Sequence, residues 1–181
     1  MKVMTFPVLQ FPGGRVLPFE ERHLTARYVG WLNDPAVVRF SEQRHRRHTL
    51  ESCRAYFESF RGSSDRFLAI EMDDARLGHV GNMTVAIDTA NRVADLAIMI
   101  GEPRARGQGI ATVAWRAVVR ELLEGQALRK VTAGTMAANE PMLRLMKNSG
   151  MQLEGRRQRQ FLCEGQEVDL VMGAIFAPGG K

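Results

Sequence analysis

The segment Arg104-Ala105-Arg106-Gly107-Gln108-Gly109-Ile110-Ala111-Thr112 constrains the fold more than any other stretch of the chain. It follows an extended apolar run, Val93 to Ile100, and opens the strongest amphipathic stripe in the sequence. In that stripe Ile110, Val113, Ala114, Ala117 and Val118 recur at helical spacing, ahead of Gly125. A strand must therefore pass into a long helix across a short glycine-rich turn. Glycines let the backbone come close to a ligand, and the first N–H groups of a helix point outward with a partial positive charge. Such a turn suits a pyrophosphate. Two other glycine loops fail on their own patterns. Gly107-Gln108-Gly109 lacks the third glycine and the first-strand position of a dinucleotide fingerprint, and the chain has no Gly-Lys-Ser/Thr for a phosphate loop.

The rest of the chain is organised around that turn. Arg15 to Phe19 predicts a strand after the Pro12-Gly13-Gly14 break, and Pro18 makes it a short or edge strand. Thr25 starts a helical stretch with Tyr28, Val29 and Leu32, ended by Asn33-Asp34-Pro35. Thr49 starts another, Leu50 to Phe60, with Leu50, Cys53, Phe57 and Phe60 on one face and a stop at Gly62-Ser63-Ser64. Arg66 to Met72, Leu77 to Ile87 and Val93 to Ile100 predict a meander of three strands. Lys130 to Met136 is a further strand, and Asn139 caps a short helix bearing Met142, Leu145 and Met146. Gln152 to Cys163 and Gln166 to Phe176 form a hairpin about Glu164-Gly165. The expectation is an α+β chain with a mixed, mostly antiparallel central sheet of about seven strands flanked by about four helices. One domain covers residues 1–181, with its core over about 15–177, and residues 1–14 have no assigned role.

Composition narrows the partners only a little. The 181 residues carry 25 Lys plus Arg against 20 Asp plus Glu, a net +5 with a sequence pI near 9.8. Only four of the cations are lysines, so the excess is in arginine, whose planar fork matches phosphate and carboxylate. Cys53 and Cys163 stand in unrelated contexts with no CxxC and no metal-ligand spacing, so neither a disulfide framework nor a metal site is expected. Cys53 reads as a small interior residue. Met1 to Gln10 lacks the pattern of a signal peptide, and nowhere do 18 apolar residues follow one another, so a cytoplasmic location with no membrane partner is expected.

The six residues Arg106-Gly107-Gln108-Gly109-Ile110-Ala111 resemble the Arg/Gln-x-x-Gly-x-Gly/Ala signature of the GNAT superfamily of acetyl-CoA-dependent N-acetyltransferases. The element order is similar to that family's fold over roughly residues 15–177. Asp95 to Gly101, Trp31-Leu32-Asn33-Asp34-Pro35 and His48-Thr49-Leu50-Glu51-Ser52 resemble its RimJ/RimL-like branch. That branch includes ribosomal-protein N-terminal acetyltransferases and nucleotide-linked aminosugar N-acetyltransferases; the Asn-Asp-Pro and His-Thr-Leu-Glu-Ser segments are closer to the aminosugar enzymes. The resemblance implies acetyl-CoA as co-substrate. It implies a pyrophosphate site at Arg104, Arg106, Gly107, Gln108, Gly109, Ile110, Ala111 and Thr112, a pantetheine-pairing strand at Ile98, Met99 and Ile100, and a cofactor contact from Asn139.

Acetyl transfer to an amine needs a neutral amine, a nearby carbonyl carbon and donors for the developing oxyanion. A backbone N–H around Met99 or Ile100 is the expected donor. The base candidates are Asp95, on the strand where branch members carry an acid, and His79 on the preceding strand, with a solvated carboxylate and a structural histidine as the plainer alternatives. Many relatives protonate the leaving thiolate with a Tyr at the position held here by Met146. Arg44, Arg46, Arg47 and His48 are the expected acceptor contacts, with Arg156 to Arg159 a second basic run. Three readings stay open: a small anionic amine such as a nucleotide-linked aminosugar, a protein N-terminus, or a non-catalytic basic RNA- or ribosome-binding module. The last is disfavoured by the lack of aromatics among the arginine clusters. A homodimer is also open.

Overall fold

Local chemistry sets the helix ends. The computed structural model describes residues 6–179; of the readings above, those on Met1–Thr5, Gly180 and Lys181 lie outside the described residues. The Thr25 hydroxyl accepts the Tyr28 N–H at 3.2 Å to start α1 (Ala26–Leu32). Asp34 then accepts the Ala36 N–H at 2.9 Å ahead of Pro35, so a second short helix, α2 (Pro35–Val38), forms where a stop was expected. Thr49 and Ser52 build a reciprocal capping box for α3 (Leu50–Glu58). That helix ends before Phe60, and Leu50 is exposed instead of facing inward. α4 (Ile110–Arg120) runs on into a wide turn, Glu121–Gly125, and Asn139 caps α5 (Glu140–Asn148) by accepting the Met142 N–H at 3.3 Å.

Eight strands form one sheet: β1 (Leu9–Phe11), β2 (Gly14–Pro18), β3 (Arg66–Met72), β4 (His79–Asp88), β5 (Val93–Ile100), β6 (Lys130–Met136), β7 (Gln152–Cys163) and β8 (Gln166–Phe176), in the order β1-β2-β3-β4-β5-β6-β8-β7. The α+β class is as expected. Among the described residues the strand and helix counts each exceed expectation by one, through β1 and α2. β1 lies in the segment that had no assigned role, and it takes the edge place expected for β2. It pairs only with Gly14 to Val16, so Pro18 sits past its end, where a missing N–H breaks no ladder bond on that side.

The two faces carry separate cores. On one, Trp115, Val118 and Leu122 of the α4 segment pack with Leu68, Ile70, Met83 and Leu96. On the other, Tyr28, Trp31, Leu32 and Cys53 pack on Leu17, Phe19, Phe67 and Ala69, and Cys53 is 2% exposed, in keeping with its reading as an interior residue. Both cysteines are free. No helix among the described residues is long and apolar enough to cross a membrane.

The functional feature is a break in the sheet. β5 and β6 are its one parallel pair among the described strands, and their pairing covers only Val93, Ala94 and Asp95 against Lys130, Val131 and Thr132. Beyond that rung β5 stays with β4 as far as Ile100, while β6 stays with β8 as far as Met136. Each strand follows its own neighbour, and a fork opens between them.

Candidate active site

Alternation fixes which backbone groups line the fork. The Gly101 N–H donates to the Val80 carbonyl at 3.0 Å, so the odd-numbered residues of β5 direct their backbone groups toward β4. At the foot of the fork β5 pairs with β6, and the Ala94 carbonyl oxygen lies 3.2 Å from the Thr132 hydroxyl oxygen, which places the even-numbered set on the β6 side. Leu96 closes the last rung with its N–H, while Ile98 and Ile100 turn their N–H and C=O groups into the gap. Of the donors considered from sequence, Met99 is committed to β4 and Ile100 is free, joined by Ile98.

The turn before α4 is built to leave donors unpaired. Gly107 and Gly109 have φ of 73° and 77°, and a Cβ at either would meet nothing within 4 Å, so their left-handed backbone opens onto empty space. Gly109 is the N-cap and offers no side chain to cap the helix. As a result the N–H groups of residues 107–111 have no partner among the described residues. The Arg106 guanidinium donates to the Ile100 and Gly101 carbonyls at 3.2 Å each, tying the turn to the strand end. Gln108 bonds back to the Arg104 carbonyl, and Arg104 itself pairs with Glu102 at 2.8 Å and donates to the Arg76 carbonyl at 2.9 Å.

Fork and turn open into one cavity of about 930 Å³ that reaches across to α1, α2 and α3. Its wall brings together Ile98, Met99, Ile100, Arg106, Gly107, Gly109, Ile110, Ala111 and Asn139 with Arg46, Arg47 and His48. Arg44, His79, Asp95, Arg104, Gln108 and Thr112 are not on the wall. Arg44 is instead spent on structure, donating to the Ser41 carbonyl at 2.8 Å and the Leu162 carbonyl at 3.0 Å and pairing with Glu42. Asp95 accepts from the Thr132 hydroxyl at 2.7 Å at the rung where the fork begins, and burial pushes its carboxyl up against that bond. The second basic run also lies off the wall, with Arg156 paired to Asp169 at 2.6 Å and Arg159 to Glu167. The guanidinium groups of Arg46 and Arg47, by contrast, have no protein partner among the described residues, and no Asp or Glu lines the cavity.

Sequence reasoning missed Asn82, Tyr56, Ser52 and Thr135 on the wall. Asn82 had a visible signal, a polar residue amid the buried run Val80 to Met83 of β4. Met146, where a Tyr was absent, is buried in the core rather than facing the cavity, with its terminal methyl over Gly173.

Behind the wall sits a buried polar cluster. Glu71, 6% exposed, accepts two bonds from Arg15 at 2.8 and 3.0 Å, one from Arg22 and one from His23 at 3.0 Å. Burial would raise this carboxyl, but the bonds from Arg22, His23 and Arg15 outweigh it and hold it at about 2. Burial lowers both neighbouring imidazoles, His23 despite its bond to Glu71, and His79 to about 4. The unfolded chain protonates these histidines below about pH 6.5 and the folded one does not, so stability falls as pH drops from 6.5 toward 4. The expected slope is about 1.4 kcal/mol per pH unit for each proton so excluded. Below about 4.5 protonation of Glu71 in the unfolded state adds to the loss. Urea unfolding at pH 7, 6 and 5 measures it; His79→Phe should flatten the dependence, and a flat parent profile would contradict the assignment.

Comparison with known proteins agrees with this geometry. The family profile described as an acetyltransferase (GNAT) domain matches residues 15–152. No curated protein matches the chain. Among solved structures, RimL, a ribosomal L7/L12 alpha-N-protein acetyltransferase in complex with CoA, superposes with a TM-score of 0.83 at 14% identity, covering 96% of this chain and 100% of that one. A ribosomal-protein-S5-alanine acetyltransferase from Vibrio fischeri gives 0.82 at 15% identity, covering 97% and 100%. A spermidine N-acetyltransferase from Vibrio cholerae in complex with CoA and spermine gives 0.80 at 16% identity, covering 92% and 96%. At these identities the structural likeness speaks to the fold.

Proposed function

Since the chain belongs to the GNAT acetyltransferase family and is an acetyl-CoA-dependent N-acetyltransferase, we propose that its acceptor is a primary amine carried by an anionic small molecule, such as a nucleotide-linked aminosugar. One observation carries this reading: among the described residues the wall beyond the fork presents two unpaired guanidinium groups, Arg46 and Arg47, and no carboxylate. A polycationic acceptor would lose its hydration there with nothing to replace it, whereas a phosphate or diphosphate gains charge-assisted bonds. Two free cysteines suit a reducing, cytoplasmic setting.

The residues fit acetyl-CoA. The N–H groups of residues 107–111 at the start of α4 would hold its pyrophosphate, with Arg106 beside them, and the fork edge of β5 would pair with its pantetheine arm. Bound there, acetyl-CoA supplies an activated acetyl thioester. The free N–H of Ile98 or Ile100 would serve as the oxyanion donor, and one such donor is worth about a hundredfold in rate. Among the described residues His48 is the one imidazole on the wall, and the wall holds no carboxylate; we assign it the proton of the attacking ammonium. With Met146 in the core and no Tyr at that place, water returns a proton to the leaving sulfur.

His48→Gln is expected to lower kcat by about 100-fold at pH 7 while the parent's acetyl-CoA affinity is kept; an unchanged kcat would remove His48 from the chemistry. A protein N-terminus is the second reading, favoured by the likeness to the two ribosomal-protein acetyltransferases. CoA release decides between them. Faster turnover with a nucleoside-diphosphate aminosugar than with peptides bearing free N-termini supports the first, and the reverse order supports the second.

A further inference from the structure

Asn82 stands on the cavity wall with half of its amide satisfied. It is 5% exposed, lies on β4 directly opposite Met99 of β5, and so shares the face that packs against α1 and α3. His79 holds it from behind. The His79 Nε2 atom is 2.7 Å from Asn82 Oδ1 and 3.1 Å from the Gly81 carbonyl oxygen. Two acceptors around one ring nitrogen require that Nε2 carry the hydrogen. Reversing the amide would leave the Nε2 lone pair facing the Gly81 oxygen, so the orientation with Oδ1 toward the ring is the one that satisfies all three groups. The ring itself is locked among Trp31, His23 and Phe19, with centroid distances of 5.0, 4.9 and 5.9 Å. Asn82 Nδ2 is thereby turned away from His79, and it is buried with no hydrogen-bond partner among the described residues.

A buried amide donor without a partner is costly, and leucine would fill the same volume without that cost. Asn82 lines the wall that receives substrate, its Nδ2 lies just beneath that surface, and a substrate oxygen that reaches it through a small side-chain shift on binding would supply the missing acceptor. We propose that Asn82 Nδ2 donates to an oxygen on the carbon adjacent to the amine-bearing carbon of the acceptor, and that this contact selects acceptors of that kind. Aminosugars carry such an oxygen as a vicinal hydroxyl, and a peptide N-terminus carries it as its own carbonyl. A polyamine has none. The inference rests on the acetyltransferase reading above but not on either choice of acceptor. His79 acts through Asn82 as a positioning residue.

The test compares CoA release from acetyl-CoA by the full chain with three amine probes. D-glucosamine 1-phosphate and a serine-initiated acidic peptide have the adjacent oxygen; 3-aminopropyl phosphate is an anionic amine without it. The parent should favour at least one oxygen-bearing probe over aminopropyl phosphate by tenfold or more in kcat/KM. Asn82→Leu should erase that preference by losing tenfold or more on the favoured probe alone, with the acetyl-CoA-induced rise in Tm intact. His79→Phe keeps the ring packing and frees the amide, and should lose the same preference in smaller measure, about threefold. A variant that retains the parent's preference, or loses all probes equally, overturns the assignment of Asn82. Release of CoA with none of the probes by a parent that binds acetyl-CoA also overturns it. A parent that does not bind acetyl-CoA overturns the acetyltransferase reading instead.

Discussion

Gly109→Trp is expected to abolish the rise in melting temperature that saturating acetyl-CoA gives the parent. At a ligand concentration 100 times Kd the stabilisation is about 2.7 kcal/mol, or roughly 5–11 °C for a chain of this size. The effect depends on what Gly109 lacks. With φ at 77° it turns the chain into α4, and an added Cβ meets no protein atom within 4 Å, so an indole there projects into the space left for the ligand. The N–H groups of residues 107–111 would then be screened from an incoming phosphate. Trp in a left-handed conformation also costs about 1–2 kcal/mol of stability. That lowers the variant's own Tm but not the comparison, which is made with and without acetyl-CoA on the same protein. A variant that keeps the parent's shift would show that the cofactor is held elsewhere.

The second large effect is expected at the arginines of the cavity wall. Exchanging Arg46 and Arg47 together for Glu should lower kcat/KM for an anionic aminosugar acceptor by about 100-fold or more, since each charge-assisted bond is worth about 1.5–3 kcal/mol. The acetyl-CoA shift should survive, because neither residue belongs to the turn before α4. Arg44→Glu provides the contrast. Its guanidinium joins the Ser41 and Leu162 carbonyls, so its loss should lower Tm without the same selective loss of acceptor. Equal turnover by the parent and the double variant would remove the acceptor from this part of the wall.

Much of the fold was legible because its signals are local. The strands Arg66–Met72, Val93–Ile100 and Lys130–Met136 and the final hairpin have the bounds expected from period and turn residues. Asn139 and Thr49 cap the helices they were expected to cap. What was not legible depends on pairing across the chain. The fork arises because β5 and β6 each follow a different neighbour, a choice that neither strand's own residues encode. β1, at three residues, is too short to carry a period. Charge was the least transparent signal. Arg44, Arg46 and Arg47 are equivalent in a sequence run, yet one is committed to backbone carbonyls while two have no partner among the described residues. Likewise His79 could be a base or a structural ring from sequence, and only the 2.7 Å contact to Asn82 shows that its Nε2 hydrogen is engaged.

The most direct measurement is the initial rate of CoA release from acetyl-CoA by the full chain with a nucleoside-diphosphate aminosugar and with spermidine, each at the same concentration and ionic strength. A wall that holds, among the described residues, two unpaired arginines and no carboxylate predicts turnover of the anionic aminosugar at least tenfold above spermidine. Faster release with spermidine would contradict it.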